Sequence, residues 1–169
     1  MAIVIRKGTA ADTEDYIRLL YSVRETMPHQ EWFFLDPPEE IREMMASGMM
    51  QLWVADDDGK MAAGFDYFVP KLEDFNYGYD LDFSEEQLLR VVQMDTAAVY
   101  PAYRGLDLQN RLMAAAEEEI RKDVNRILLC TIHPDNRYSL ENVLSQGYSI
   151  GTKVEKYNSV RYVLRKDLE

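Results

Sequence analysis

Apolar residues recur at helical spacing through Tyr16, Leu19, Leu20 and Val23, which predicts a helix after the strand-like residues 2–7. Thr9 and Asp12 resemble a capping pair at its start, and Pro28 stops it. A second helix is predicted from near Pro38, with Ile41, Met44 and Met45 on one face. Gln51–Ala55 and Met61–Val69 read as strands joined by Asp56-Asp57-Asp58-Gly59, a hairpin signal ending in Asp-Gly. Residues 88–99 are strand-like. Leu108, Leu112, Ala116 and Ile120 then form an apolar stripe at a spacing of four, the mark of a helix running to about Lys122. Arg126–Ile132 is apolar almost throughout, as in a strand covered on both faces. His133-Pro134-Asp135-Asn136 breaks it, and a short helix to about Gln146 ends at Gly147. Strands near Tyr148–Lys156 and Val160–Arg165 close the chain around the turn Tyr157-Asn158-Ser159. The expected order is strand, two helices, three strands, helix, strand, helix, two strands, within one domain over residues 1–169.

The segment from Pro70 to Gln87 is irregular. It interleaves Glu73, Asp74, Asp80, Asp82, Glu85 and Glu86 with Phe75, Tyr77, Tyr79 and Phe83. Two readings stand side by side: an acidic aromatic loop lining a pocket for a cation, or an acidic surface loop pinned by its rings.

Composition narrows the classes. With 169 residues, 47% hydrophobic and 29% charged, the chain is about one globular domain. No apolar run approaches the roughly 18 residues of a membrane span, and residues 1–16 do not read as a signal peptide. A net charge of −11 opposes nucleic-acid binding. It suits a cationic partner such as an amine, a polyamine or a basic peptide, and equally an acidic surface that serves solubility. The single cysteine, Cys130, lies in an apolar run and reads as a buried, inert thiol. A reducing, cytoplasmic setting without metal or membrane is the expectation.

The candidate chemistry centres on residues 99–109, a tight basic turn between a strand and a long helix. The first N–H groups of a helix lack internal partners, and the helix dipole favours an anion there. Such a junction can take a phosphate or pyrophosphate.

Val99, Pro101, Tyr103, Arg104, Gly105, Leu108 and Gln109 match the acyl-CoA motif V-x-P-x-Y-R-G-x-G-L-Q/G of GNAT acetyltransferases, which the chain resembles. His133-Pro134-Asp135-Asn136, Ser139 and Gly147-Tyr148 match that family's second motif, and the order of elements agrees over essentially the whole chain. The resemblance implies an α/β fold: a mixed, mostly antiparallel seven-stranded sheet flanked by about four helices, with strands 4 and 5 splayed apart. It implies acetyl-CoA as co-substrate and transfer of an acetyl group to a primary amine. A homodimer is a further family-based expectation.

By the same resemblance, backbone groups of Ala97, Ala98 and Val99 would bond the pantetheine arm. Arg104, Gly105, Leu106, Asp107, Leu108 and Gln109 would wrap the pyrophosphate. Asn136 would lie near the arm, and it is also a good helix N-cap. Asp107 stands where the family has glycine; it either turns outward, capping the helix, or repels the pyrophosphate. Val143 stands where many members carry a proton-donating tyrosine, so Ser139, one helical turn earlier, or a water would donate. Asp95 is the candidate general base, with an ordinary polar strand residue or a substrate-binding carboxylate as the other readings. His133 reads as structural, Tyr138 points away, and Gln93 has no base chemistry. A non-catalytic CoA-binding module with the same fold is the alternative.

Overall fold

A computed structural model describes residues 2–123 and 125–169. Seven strands, β1 (Ile3–Lys7), β2 (Met50–Asp57), β3 (Lys60–Phe68), β4 (Val91–Val99), β5 (Ile127–Ile132), β6 (Ser149–Lys156) and β7 (Ser159–Asp167), form one sheet in the order β1-β2-β3-β4-β5-β7-β6. The helices are α1 (Thr13–Thr26), α2 (Pro38–Ser47), α3 (Glu85–Arg90), α4 (Leu108–Ile120) and α5 (Arg137–Ser145). β4 runs parallel to β5, and the β1–β2, β5–β7 and β6–β7 ladders are antiparallel. No helix among the described residues is long and apolar enough to cross a membrane.

The fifth helix, α3, departs from the sequence expectation. Ser84 accepts from the Gln87 backbone while the Gln87 side chain accepts from Ser84, a reciprocal cap that draws 85–90 into a helix. Leu88, Leu89 and Arg90 therefore belong to α3, and β4 begins at Val91. Ser159 belongs to β7, so the last hairpin turns on Tyr157 and Asn158 alone.

Contacts within the chain group into two units. The first holds residues up to Tyr67 with Thr96–Glu119. Its core joins Tyr16, Leu19, Leu20 and Val23 of α1, Ile41 of α2, Leu52 and Val54 of β2, and Ala98 of β4. The stripe read from the sequence as α1 is the face that is buried. Tyr16 donates to the Asp66 carboxylate of β3 and lies 3.2 Å from the Thr96 carbonyl of β4. Its ring needs the space over Gly64, where a Cβ would meet the ring at 2.7 Å.

The second unit holds Phe68–Asp95 and Ile120–Glu169. Its core joins Tyr77, Phe83, Leu88, Val91, Ile127, Leu129 and Val163. Asn76 pins the irregular segment, donating to the Lys71 and Leu88 carbonyls and accepting from the Gly78 N–H. Cys130 is buried, and burial pushes its thiol up to about 12, which leaves it inert at neutral pH.

Candidate active site

The parallel ladder is short. It registers Val91 with Ile127, Val92 with Leu128 and Gln93 with Leu129, and no further β4–β5 pair among the described residues. Both strands continue, β4 to Val99 and β5 to Ile132. Among the described residues, the two strands predicted to splay thus pair at their starts. Asp95, Ala97 and Val99 are half-buried along the continuing part of β4. Ala98 is 3% exposed, its methyl in the core of the first unit, so any ligand role for it belongs to its backbone.

After β4 the chain makes a single 3-10 turn, Pro101–Tyr103. Its start is tied back where the Tyr100 N–H donates to the Ala62 carbonyl at 3.1 Å. The Tyr103 hydroxyl donates to Asp57 Oδ2 at 2.7 Å. Gly105 follows with φ of 84°, a left-handed backbone that glycine adopts without cost. No atom lies within 4 Å of where its Cβ would stand, so the backbone alone explains the residue. Arg104, Gly105, Leu106 and Asp107 are exposed; Leu108 is buried and opens α4, and Gln109 is half-buried in its first turn.

Asp107 also has a left-handed φ, 57°, which explains why glycine suits this position. Its backbone carbonyl accepts the Arg111 N–H at 3.0 Å. Its Oδ1 accepts from the Asn110 side chain at 2.7 Å. The carboxylate is thus held against its own helix by a side-chain amide.

On α5, Asn136 is the N-cap, its Oδ1 accepting from the Ser139 N–H at 3.5 Å and its carbonyl from the Leu140 N–H at 3.0 Å. Ser139 is half-buried, Val143 is 3% exposed, and Tyr138 is 70% exposed. His133 Nδ1 accepts the Asp135 N–H at 3.0 Å, a bond that closes the turn after β5. Gln93 is buried, and its Oε1 accepts the Tyr77 N–H at 2.6 Å.

Sequence reasoning passed over a polar group in the second unit. The Tyr77 and Tyr157 hydroxyls lie 2.9 Å apart. Lys156 pairs with Asp80 at 2.8 Å, its ammonium 5.6 Å from the centre of the Tyr77 ring. The Arg161 guanidinium lies 5.3 Å over the Tyr157 ring. Burial pushes the Tyr77 hydroxyl well above its ordinary range, and the Tyr157 and Asp95 charges act in the same direction. Burial pulls the Arg161 guanidinium down. The aromatics of segment 70–87 were the available signal for Tyr77. Nothing local marked Tyr157 or Arg161, whose relation to it is made by the β6–β7 hairpin. In that segment Tyr77 and Phe83 are core, whereas Glu73, Asp74 and Asp82 are exposed.

No known family profile matches the sequence, and no curated protein matches it. Solved structures do. A GNAT-family acetyltransferase from Streptococcus pneumoniae is similar at a TM-score of 0.72 and 16% identity, over 99% of this chain and 100% of that one. A ribosomal-protein-alanine N-acetyltransferase from Brucella melitensis is similar at 0.72 and 20% identity, over 98% and 99%. NAA60 of Arabidopsis thaliana, solved with acetyl-CoA, is similar at 0.74 and 13% identity, over 98% of each chain. The short β4–β5 ladder and the turn before α4 thus sit in a chain that has the fold of the GNAT acetyltransferases.

Proposed function

We propose that the chain is one acyltransferase domain over residues 1–169, moving an acetyl group from acetyl-CoA to a primary amine of a small molecule or peptide. The observation that carries the reading is the early end of the β4–β5 ladder followed by the Pro101–Gly105 turn into α4. Neighbours of the same fold include one solved with acetyl-CoA and one named for the alanine nitrogen of a ribosomal protein.

The residues fit the co-substrate. Where β4 leaves β5, backbone groups of Ala97, Ala98 and Val99 suit the two amides of a pantetheine arm. Gly105 has a left-handed backbone just ahead of α4, and the first N–H groups of a helix have no partner inside it, a setting for pyrophosphate. Asp107 is the obstacle, and its bond to Asn110 holds the charge to the helix side. Asn136 serves as a cap in either case.

When bound, the thioester supplies an activated acetyl group. Asp95 takes a proton from the acceptor nitrogen, positioned rather than chemically exotic. On α5 the candidate donor for the departing thiolate is Ser139, or a water. The exposed carboxylates among residues 71–87 attract a cationic acceptor.

Val143 in place of a donor, and a carboxylate at position 107, favour a second reading: a module that binds CoA without turnover. Thermal melting with acetyl-CoA, against desulfo-CoA and ATP, separates the possibilities. Ligand at about 100 times its Kd stabilises by about 2.7 kcal/mol, a shift of roughly 5–10 °C. A shift with thiol release against an amine panel supports the transferase; a shift without release supports the module; no shift overturns both.

A further inference from the structure

The β6–β7 turn has two central residues, Tyr157 and Asn158, with φ of 54° and 59°. Two left-handed residues make the tight hairpin turn that matches strand twist, and asparagine and glycine are the residues that occupy it cheaply. A bulky aromatic at the first position is an outlier that the surroundings must hold in place. The hold is visible: the Tyr157 hydroxyl meets that of Tyr77, and its ring lies under Arg161.

Tyr77 is fixed independently. Its N–H bonds the Gln93 side chain, Asn76 clamps the preceding loop, and the residue is 4% exposed. Tyr157 is 37% exposed. The pair therefore has a buried end and an open end. Around it stand Asp95 of β4, Thr131 of β5, Lys156 of β6, Arg161 of β7 and Asp80 of the turn before α3. Thr131 bonds the Tyr77 hydroxyl, and the Asp95 charge acts on it.

We propose that Tyr157 is the catalytic acid that protonates the departing thiolate, and that Tyr77 is the positioning residue behind it, passing on the proton that Asp95 collects. The inference rests on the transferase reading. The acceptor loses one proton to solvent to become a free amine, and its nitrogen forms the C–N bond. The C–S bond breaks with its electron pair on sulfur. Tyr157 gives its hydroxyl proton to that sulfur, Tyr77 refills Tyr157, and Asp95 returns to Tyr77 the second proton taken from the nitrogen. All three groups end as they began, and one proton is released per turnover. Burial keeps Tyr77 protonated, as a relay hydroxyl requires. α5 carries buried Val143 at the position from which the resemblance expects a tyrosine, so the acid comes from the hairpin instead.

The test uses the full chain, acetyl-CoA, and spermidine, kanamycin and a peptide with a free N-terminus as acceptors. Tyr157→Phe is expected to lower kcat about 100-fold with the KM for acetyl-CoA and the acetyl-CoA melting shift unchanged. Tyr77→Phe is expected to lower kcat about tenfold, and both variants to lose the solvent isotope effect on kcat. Tyr157→Asn guards against a folding artefact: it places a preferred residue in the turn, so it should raise the melting temperature while losing activity. Turnover in the parent with Tyr157→Phe within twofold of it overturns this proposal alone. No thiol release by the parent with any of the three amines overturns it together with the transferase reading.

Discussion

Tyr103 donates its hydroxyl to Asp57 Oδ2 at 2.7 Å, tying the turn ahead of α4 to the end of β2. The Asp57 carboxylate holds the Tyr103 hydroxyl above its ordinary range, so the bond persists through neutral pH. Tyr103 is the tyrosine of the P-x-Y-R-G stretch, and the structure gives it a partner 46 residues upstream. Its work is to fix the direction in which Arg104 and Gly105 leave the turn.

Removing that tie should loosen the pyrophosphate turn without unfolding the chain. Tyr103→Phe is expected to weaken acetyl-CoA binding about threefold to tenfold, the usual range for one hydrogen bond acting through the turn it positions. The melting temperature without ligand should barely move. Titration calorimetry on the variant checks this, and unchanged affinity would mean that the turn holds itself.

Asp107 gives a prediction of the opposite sign. Its φ of 57° belongs to glycine's range, and it carries a negative charge within the turn proposed for the pyrophosphate, even though Asn110 holds that charge to the helix side. Asp107→Gly removes both burdens and is expected to tighten acetyl-CoA binding about threefold to tenfold at low salt, with less gain at high salt where the repulsion is screened. Weaker binding in the variant would show that the Asp107–Asn110 bond is what shapes the turn.

Much of this was legible in the chain. The stripe Leu108, Leu112, Ala116 and Ile120 is the buried face of α4, and Asp58-Gly59 makes the expected hairpin with φ of 50° and 88°. Periodicity works there because packing and local preference agree. It failed at Leu88–Arg90, where apolar residues in front of a strand were taken into α3 by the Ser84–Gln87 cap. Arg104 to Gln109 could be marked from sequence because a turn and a helix start are local. Tyr77, Tyr157 and Arg161 could not, since only the sheet order brings β4, β5 and the β6–β7 hairpin onto one group. The chemistry there is a product of topology rather than of spacing.

Asp95 is the proposed base, and its substitution separates binding from chemistry. Asp95→Asn keeps the shape and loses the proton acceptor, so kcat should fall by about 100-fold or more. The acetyl-CoA melting shift should remain. A variant that keeps its turnover while KM for the amine rises would make Asp95 a substrate-binding carboxylate instead.

A packing prediction tests the first unit. Gly64 lies under the Tyr16 ring, where an added Cβ would meet it at 2.7 Å, with Leu19 at 3.4 Å. Tyr16 is fully buried and hydrogen-bonded to Asp66, so it has no easy retreat. Gly64→Ala is expected to cost about 1–3 kcal/mol, read as a lower denaturant midpoint with an unchanged slope.

Acid should weaken the chain through Arg6. Its guanidinium meets Asp12 at 2.8 and 2.9 Å and Asp56 at 2.9 Å. These bonds hold both carboxyls below the usual carboxylate range and raise the Arg6 value. A carboxylate whose folded value lies below its unfolded one adds stability above the unfolded value. That stability disappears as pH falls through the folded one, so the loss begins near pH 5 and grows on further acidification, on the order of the window in the linkage relation. Arg6 is 37% exposed, so solvent screening limits the contribution to about 1 kcal/mol. Melting scans from neutral to acid pH should show a steeper decline in the parent than in Arg6→Met. Equal slopes would assign the acid sensitivity to other carboxylates.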